Sequence, residues 1–96
     1  MLHHVIVKWN DTVTDKKEMA SRAAEAFSDA TKIPGVSRCE IIPSCSERAN
    51  RYDLMIRLTM TPEGLEAYDV SDMHKAWKKN FTAYMDSKCI FDCPEN

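Results

Sequence analysis

Four segments of the chain are predicted to be strands from their composition and from the turn residues or helices beside them. They cover residues 3–9, 36–42, 52–60 and 87–92. The third segment has the clearest pattern, because every second side chain is apolar and forms one continuous face. That face consists of Tyr52, Leu54, Ile56, Leu58 and Met60. The opposite face of the same segment carries Asp53, Met55, Arg57 and Thr59.

Apolar residues at helical spacing occupy the stretches between the first and second strands and between the third and fourth. In the first helix, Thr14 is the predicted N-cap, and the apolar stripe consists of Met19, Ala23, Phe27 and Ala30. In the second region, Thr61 caps a short helix that has Pro62 at its first position and ends near Tyr68. After a break at residues 70–72, a further helix carries an apolar stripe of Met73, Trp77, Phe81, Tyr84 and Met85. The spacing of this stripe indicates core packing.

This order of elements, β-α-β-β-α-β, predicts one α+β domain over residues 1–96, with a ferredoxin-like antiparallel sheet. Right-handed crossovers place the helices on one face of the sheet. The polar segment at residues 43–50 is long for a hairpin connection, and such loops often carry function.

The other face of the sheet is too apolar for a solvated surface. The first strand has Val5, Val7 and Trp9 on one side but Ile6 between His4 and Lys8 on the other, and the third strand adds Met55. A second copy packed sheet to sheet covers this face and closes a barrel around a central cavity. The alternative is a monomer with scattered exposed apolar groups.

Charge and hydropathy narrow the possible partners. The chain has 13 Lys and Arg and 15 Asp and Glu residues, and no basic stripe suited to a phosphate backbone, so nucleic acid is not expected as a partner. No apolar run reaches the length of a membrane span, and the first strand starts at once, so we expect no signal peptide, no membrane partner and a cytoplasmic location.

The four cysteines, Cys39, Cys45, Cys89 and Cys93, have spacings that fit no common zinc site. In the cytoplasm they are expected to be reduced thiols. Because Cys39 and Cys89 fall on the two edge strands of the predicted sheet, an intersubunit disulfide between them is a second hypothesis.

Five segments in the observed order resemble the stress-responsive dimeric α/β-barrel (Dabb) family. They are residues 3–9 (HHVIVKW), residues 33–36 (IPGV), residues 52–54 (YDL), Tyr68 followed six residues later by His74, and residues 90–92 (IFD). The resemblance implies a homodimer with the helices outside the barrel.

The Dabb family includes polyketide cyclases of the olivetolic acid cyclase type, which use no metal or organic cofactor. The resemblance places the catalytic His at His74, the catalytic Tyr at Tyr68 and a pocket His at His4. The chain departs from the family at residues 71–74, which read SDMH where the family often has His-Pro-x-His. It also has Leu54 where the cyclase has a further pocket His. These departures indicate a different substrate.

Two functions follow as expectations. The first is a stress-type barrel that binds a small apolar or aromatic molecule in its cavity, which we expect to be lined by His4, Ile6, Leu54, Ile56 and Leu58. The second is a cofactor-independent enzyme, a cyclase, isomerase or monooxygenase-like protein, with His74 as general base and Tyr68 as hydrogen-bond donor. In the simpler alternative, His74 is solvated and Tyr68 is a packed aromatic.

Overall fold

The computed structural model describes residues 1–95, which form four strands and three α-helices. In chain order they are β1 (Leu2–Trp9), α1 (Lys16–Ala26), β2 (Val36–Pro43), β3 (Leu54–Met60), α2 (Pro62–Asp69), α3 (Asp72–Phe81) and β4 (Met85–Cys93). Short 3-10 turns lie at Ala30–Lys32 and Thr82–Tyr84. The chain thus keeps the predicted element order, with the second helical region split in two.

The strands form one antiparallel sheet in the order β2-β3-β1-β4. This arrangement confirms the predicted ferredoxin-like α+β fold. In the centre of the sheet, Val5 lies opposite Ile56 on one side and Ile90 on the other. Residues that pair across the strands share a face, so the register fixes which side chains lie under the helices.

The core lies between the sheet and the helices. From the sheet it takes Val5, Val7, Leu54, Ile56 and Leu58, and from the helices Met19, Ala23, Tyr68, Trp77 and Phe81. The rings of Trp77 and Phe81 stack on each other. The ring of Phe27 packs edge-on against that of Trp77, with 5.1 Å between the ring centroids. The apolar alternation of β3 therefore faces the helices.

The first helix begins later than predicted. Asp15, not Thr14, is its N-cap, and the Asp15 carboxylate accepts a hydrogen bond of 3.1 Å from the Glu18 amide. A carboxylate is favoured there because it also lies at the positive end of the helix dipole. The prediction of Thr61 as the cap of α2 is confirmed, since its hydroxyl accepts from the Gly64 amide at 3.0 Å.

The apolar stripe after the break does not continue as one helix. Helix α3 ends at Phe81, Tyr84 lies in a 3-10 turn, and Met85 already belongs to β4. The prediction that Tyr84 and Met85 extend the helical stripe was therefore wrong. Their apolar character comes from packing against the core at the entry to the strand.

A contact between the two glycines of the chain joins β2 to α2. Gly35 has a φ of 89°, a conformation that glycine adopts without strain. A Cβ atom on Gly35 would lie 2.6 Å from Gly64 Cα, and one on Gly64 would lie 2.7 Å from the Gly35 carbonyl. The start of α2 therefore packs directly on the backbone that precedes β2.

Within residues 1–95, no helix is long and apolar enough to cross a membrane. The same part of the chain holds no group of three or more His, Cys, Asp or Glu residues placed to bind a metal ion.

Candidate functional site

A cavity of about 270 Å³ opens between the sheet and the helices α2 and α3. The sheet supplies His3, Val5, Lys88 and Ile90, and the helices supply Leu65, Tyr68, Asp69, His74, Trp77 and Lys78. All ten residues come from one chain. The volume falls just below the range of drug-sized pockets, so the cavity suits a small molecule.

Tyr68 lies in the last turn of α2 and is only 1% exposed. Its hydroxyl has no hydrogen-bond partner among the described residues. Burial raises the pKa of this phenol well above its usual value, and the nearby Asp69 adds to the shift. The hydroxyl therefore keeps its proton at neutral pH, and a ligand in the cavity is a natural acceptor for it.

His74 lies in the first turn of α3 and its ring packs beside the Tyr68 phenol. Ser71 is the N-cap that starts this helix. The Ser71 hydroxyl accepts from the His74 amide at 3.1 Å, and the ring centroids of Tyr68 and His74 are 4.4 Å apart. His74 Nδ1 lies 3.1 Å from the Asp69 carbonyl oxygen. A carbonyl only accepts, so Nδ1 carries the proton and Nε2 of the neutral ring is the basic nitrogen.

A second imidazole at the cavity belongs to His3. Its ring centroid is 5.6 Å from that of Tyr68, and its Nδ1 is 2.5 Å from the Asp92 carboxylate. The carboxylate accepts from Nδ1–H and fixes the orientation of the ring. Neither His3 nor Asp92 was among the residues predicted for the site. The sequence does contain evidence for His3, because it alternates with Val5 and Val7 and therefore lies on the same face of β1.

His4, the predicted pocket histidine, does not reach this cavity. It lies on the opposite face of the sheet, where its Nδ1 donates to the Phe91 carbonyl oxygen at 2.9 Å. Consecutive residues of a strand point to opposite faces. The structure thus brings Tyr68 and His74 together and separates them from His4.

The other predicted lining residues do not share one surface. Ile56 and Leu58 are fully buried under the helices. Ile6 borders an apolar groove of about 260 Å³ on the face of the sheet away from the helices, which we call the helix-free face. Leu54 also borders this groove, although it pairs with Val7 and its side chain is buried in the core under the helices. The groove is completed by Ile42, Pro43, Ser44, Tyr52 and Met55. A single lining by all five predicted residues was therefore wrong, because the register divides them.

The helix-free face also carries exposed apolar side chains and one ion pair. Phe91 is 60% exposed and Ile42 is 36% exposed. Between them, Arg57 donates two hydrogen bonds of 3.0 Å to the Glu40 carboxylate. The guanidinium lowers the pKa of the Glu40 carboxyl below its usual value.

The side chains of Cys39 and Cys89, for which a disulfide was a hypothesis, lie on opposite faces of the sheet. Cys39 pairs with the buried Leu58 and packs against the core, whereas Cys89 pairs with Ile6 on the helix-free face. These orientations do not support a disulfide between them.

No protein-family model matches the chain, and no curated protein sequence matches it. Solved structures do share its fold. A dimeric ferredoxin-like protein of unknown function from Jannaschia sp. CCS1 has a TM-score of 0.78 at 19% identity, over 98% of this chain and 97% of that one. A dabb family protein from Mesorhizobium loti has a TM-score of 0.71 at 13% identity, over 99% of this chain and 96% of that one.

An enzyme also shares the fold. The hydroxynitrile lyase from Passiflora edulis has a TM-score of 0.72 at 11% identity, over 94% of this chain and 87% of that one. At these identities the likeness shows the fold, and function is argued from the site.

Proposed function

We propose that this protein is a cofactor-independent enzyme that transfers protons on a small carbonyl compound, with His74 as general base and Tyr68 as hydrogen-bond donor. The observation that carries this proposal is the buried Tyr68 hydroxyl, which has no partner among the described residues and borders a cavity beside the His74 ring. Burying a hydroxyl without a partner costs free energy, and a bound carbonyl oxygen removes that cost.

The chemistry follows from the two side chains. His74 Nε2 takes a proton from the carbon next to the carbonyl, so a C–H bond breaks and an N–H bond forms. The electron pair moves to the carbonyl oxygen, which becomes an enolate oxygen, and Tyr68 O–H donates to it. Return of the proton to another carbon gives isomerisation. Attack of the enolate carbon on a second carbonyl of the same molecule closes a ring, and the new alkoxide oxygen takes the proton back from His74.

His3 extends this proposal. Because the Asp92 carboxylate accepts a hydrogen bond from His3 Nδ1–H, Nε2 is the nitrogen of His3 that can exchange a proton at the same cavity. When His3 is protonated, its Nε2–H can deliver a proton to one carbon while the neutral ring of His74 takes a proton from another, which together give isomerisation. The hydroxynitrile lyase is an enzyme that has this fold, which is compatible with the proposal.

The test is deuterium exchange at the acidic carbon of benzoylacetamide in D2O, followed by NMR. We expect the protein to accelerate exchange, and Tyr68→Phe and His74→Gln to reduce the acceleration by about 100-fold each. Tyr84→Phe, at a tyrosine outside the cavity, should leave it unchanged.

Stability separates a catalytic effect from a folding defect. Since the Tyr68 hydroxyl makes no internal hydrogen bond in the described chain, Tyr68→Phe should keep or slightly raise the urea midpoint. No acceleration by the unaltered protein, or the same acceleration in both cavity variants, would contradict the proposal.

We further propose that a second copy covers the helix-free face and closes a barrel that holds a small apolar or aromatic molecule. The apolar groove, the exposed Phe91 and Ile42, and the dimeric state of the Jannaschia protein support this arrangement. The location in the cytoplasm and a part in stress response stay predictions of the sequence.

A further inference from the structure

Two lysines border the same cavity as Tyr68 and His74. Lys78 follows His74 by one helical turn on α3, so both side chains lie on one face of that helix. Lys88 comes from the neighbouring edge strand, where it pairs with Val7 on the helix side of the sheet. A helix and the strand that follows it in the chain thus supply positive charge to one opening.

Neither ammonium group is neutralised in the described chain. The ion pairs and side-chain hydrogen bonds found within residues 1–95 leave out the Nζ atoms of both lysines. Asp69 is the one carboxylate among the lining residues, and Asp92, which is not a lining residue, pairs with His3. The lining thus carries two ammonium groups against one carboxylate.

The charges are placed at the outer end of the cavity. Lys78 and Lys88 are exposed, whereas Tyr68 is buried. A ligand that puts its carbonyl oxygen at the phenol therefore leaves its other end near the lysines.

Helix capping alone does not explain both lysines. A cation in the last turn of a helix is favoured by the dipole, and Lys78 and Lys79 both lie in the last turn of α3. Lys79 does not border the cavity, and Lys88 is on a strand. Lys79 is therefore a matched control that shares the helix position without the cavity.

We infer that the substrate is a small keto acid, whose carboxylate binds to Lys78 and Lys88 while its ketone oxygen binds to Tyr68. The inference rests on the proposed function for the position of the carbonyl and adds the chemical class of the substrate. A carboxylate between two ammonium groups forms charge-assisted hydrogen bonds, and the cavity of about 270 Å³ accommodates a molecule of this size.

The experiment compares two probes of the same shape, benzoylacetate and benzoylacetamide, which differ in the charge of one end. Calorimetric titration gives the dissociation constant of each. We expect the protein to bind the anion about tenfold more tightly at low salt and to lose this preference as salt screens the charges. In Lys78→Met/Lys88→Met the affinity for the anion should fall to that for the amide, so that the preference is lost. Lys79→Met should keep the preference.

The outcomes separate the two proposals. Equal binding of both probes to the unaltered protein, a preference that survives the double substitution, or binding of neither probe would overturn the inference. If the amide undergoes catalysed exchange without a charge preference, the proposed function stands and the inference fails. If the anion binds through the lysines without any catalysed exchange of either probe, the inference stands and the proposed function fails.

Discussion

Burial sets the acidity of single side chains near the site. Cys39 lies on β2 with its side chain against the core, and desolvation of its thiolate together with the charge of Glu40 raises its pKa from 9.0 to about 11. A thiol in this state is protonated at neutral pH, so it has little of the nucleophilic form. We assign Cys39 a packing role.

The shift at Cys39 predicts how stability changes at alkaline pH. An unfolded thiol loses its proton near 9.0, whereas the folded one keeps it up to about 11. The folded state therefore binds more protons in this interval, and the free energy of unfolding falls as pH rises through it. Urea unfolding at a series of pH values should show a smaller fall in Cys39→Val than in the unaltered protein.

Cys45, which is exposed in the loop after β2, provides the comparison for this prediction. Cys45→Ser should follow the unaltered protein across the whole pH series. Parallel curves for Cys39→Val and the unaltered protein would show that the Cys39 thiol has no raised pKa in the folded state.

His3 and His4 are neighbours on β1, and their side chains lie on opposite faces of the sheet. The sequence placed an imidazole at the start of β1, and the structure has one at the cavity, but it is His3 and not His4. His3 can be assigned to the cavity because it alternates with Val5 along the strand, but only once the face that the helices cover is known. The hydrogen bond between His3 and Asp92 joins residues near the two ends of the chain, so no local sequence pattern predicts it.

At the scale of elements, the contact between Gly35 and Gly64 fixes how α2 begins against the sheet. Helix α2 carries Tyr68 in its last turn and leads through Ser71 to His74. The close approach of the two backbones therefore sets the position of both candidate catalytic groups.

This contact predicts an unusual effect of alanine. Glycine to alanine inside a helix normally stabilises by about 1 kcal/mol. At Gly64 the added methyl group would lie 2.7 Å from the backbone of Gly35, which cannot move away without shifting β2. We expect Gly64→Ala to lower the free energy of unfolding by about 1–3 kcal/mol, as measured by urea denaturation.

Glu66, an exposed residue of the same helix, serves as the control. Glu66→Ala should change stability by less than about 0.5 kcal/mol. Increased stability in Gly64→Ala would mean that α2 does not pack on Gly35 as described.

The elements themselves were mostly readable from the sequence. Apolar periodicity and the Thr61-Pro62 start signal are local, so they located the strands and α2. The end of α3 was not readable, because Tyr84 and Met85 continue the helical spacing by coincidence and are apolar for another reason. The choice of Asp15 over Thr14 as cap also needed the structure, since both are good capping residues.

At the scale of the whole molecule, the sheet separates two surfaces. The cavity with Tyr68 and His74 lies on the helix side, and the apolar groove with Ile6 and Met55 lies on the helix-free face. The sequence predicted that both faces are apolar. The resemblance placed Tyr68, His74 and His4 at one pocket, whereas the structure has His4 on the other face of the sheet, because consecutive residues of β1 point to opposite sides.

The proposed dimer predicts that charge on the helix-free face separates the copies. We expect the unaltered protein to sediment at twice the mass of the chain, and Phe91→Asp to weaken association by about 100-fold or more. An aspartate there would be buried without a partner. The same variant should lose binding of N-phenyl-1-naphthylamine, a neutral fluorescent probe for the proposed barrel cavity.

Val70 is the control for surface hydrophobicity, because it is 69% exposed at the end of α2 and outside the helix-free face. Val70→Asp should sediment as the unaltered protein does. A single-chain mass for the unaltered protein at high concentration would refute the dimer.

Alternation along β4 has a consequence for substitutions. Ile90 borders the cavity, and the next residue, Phe91, lies on the opposite side. Substitutions at these two neighbouring positions therefore affect different surfaces of the protein. On the proposed dimer and the proposed chemistry, a change at Phe91 alters the association of the copies without altering the cavity, and a change at Ile90 alters the cavity without altering the association.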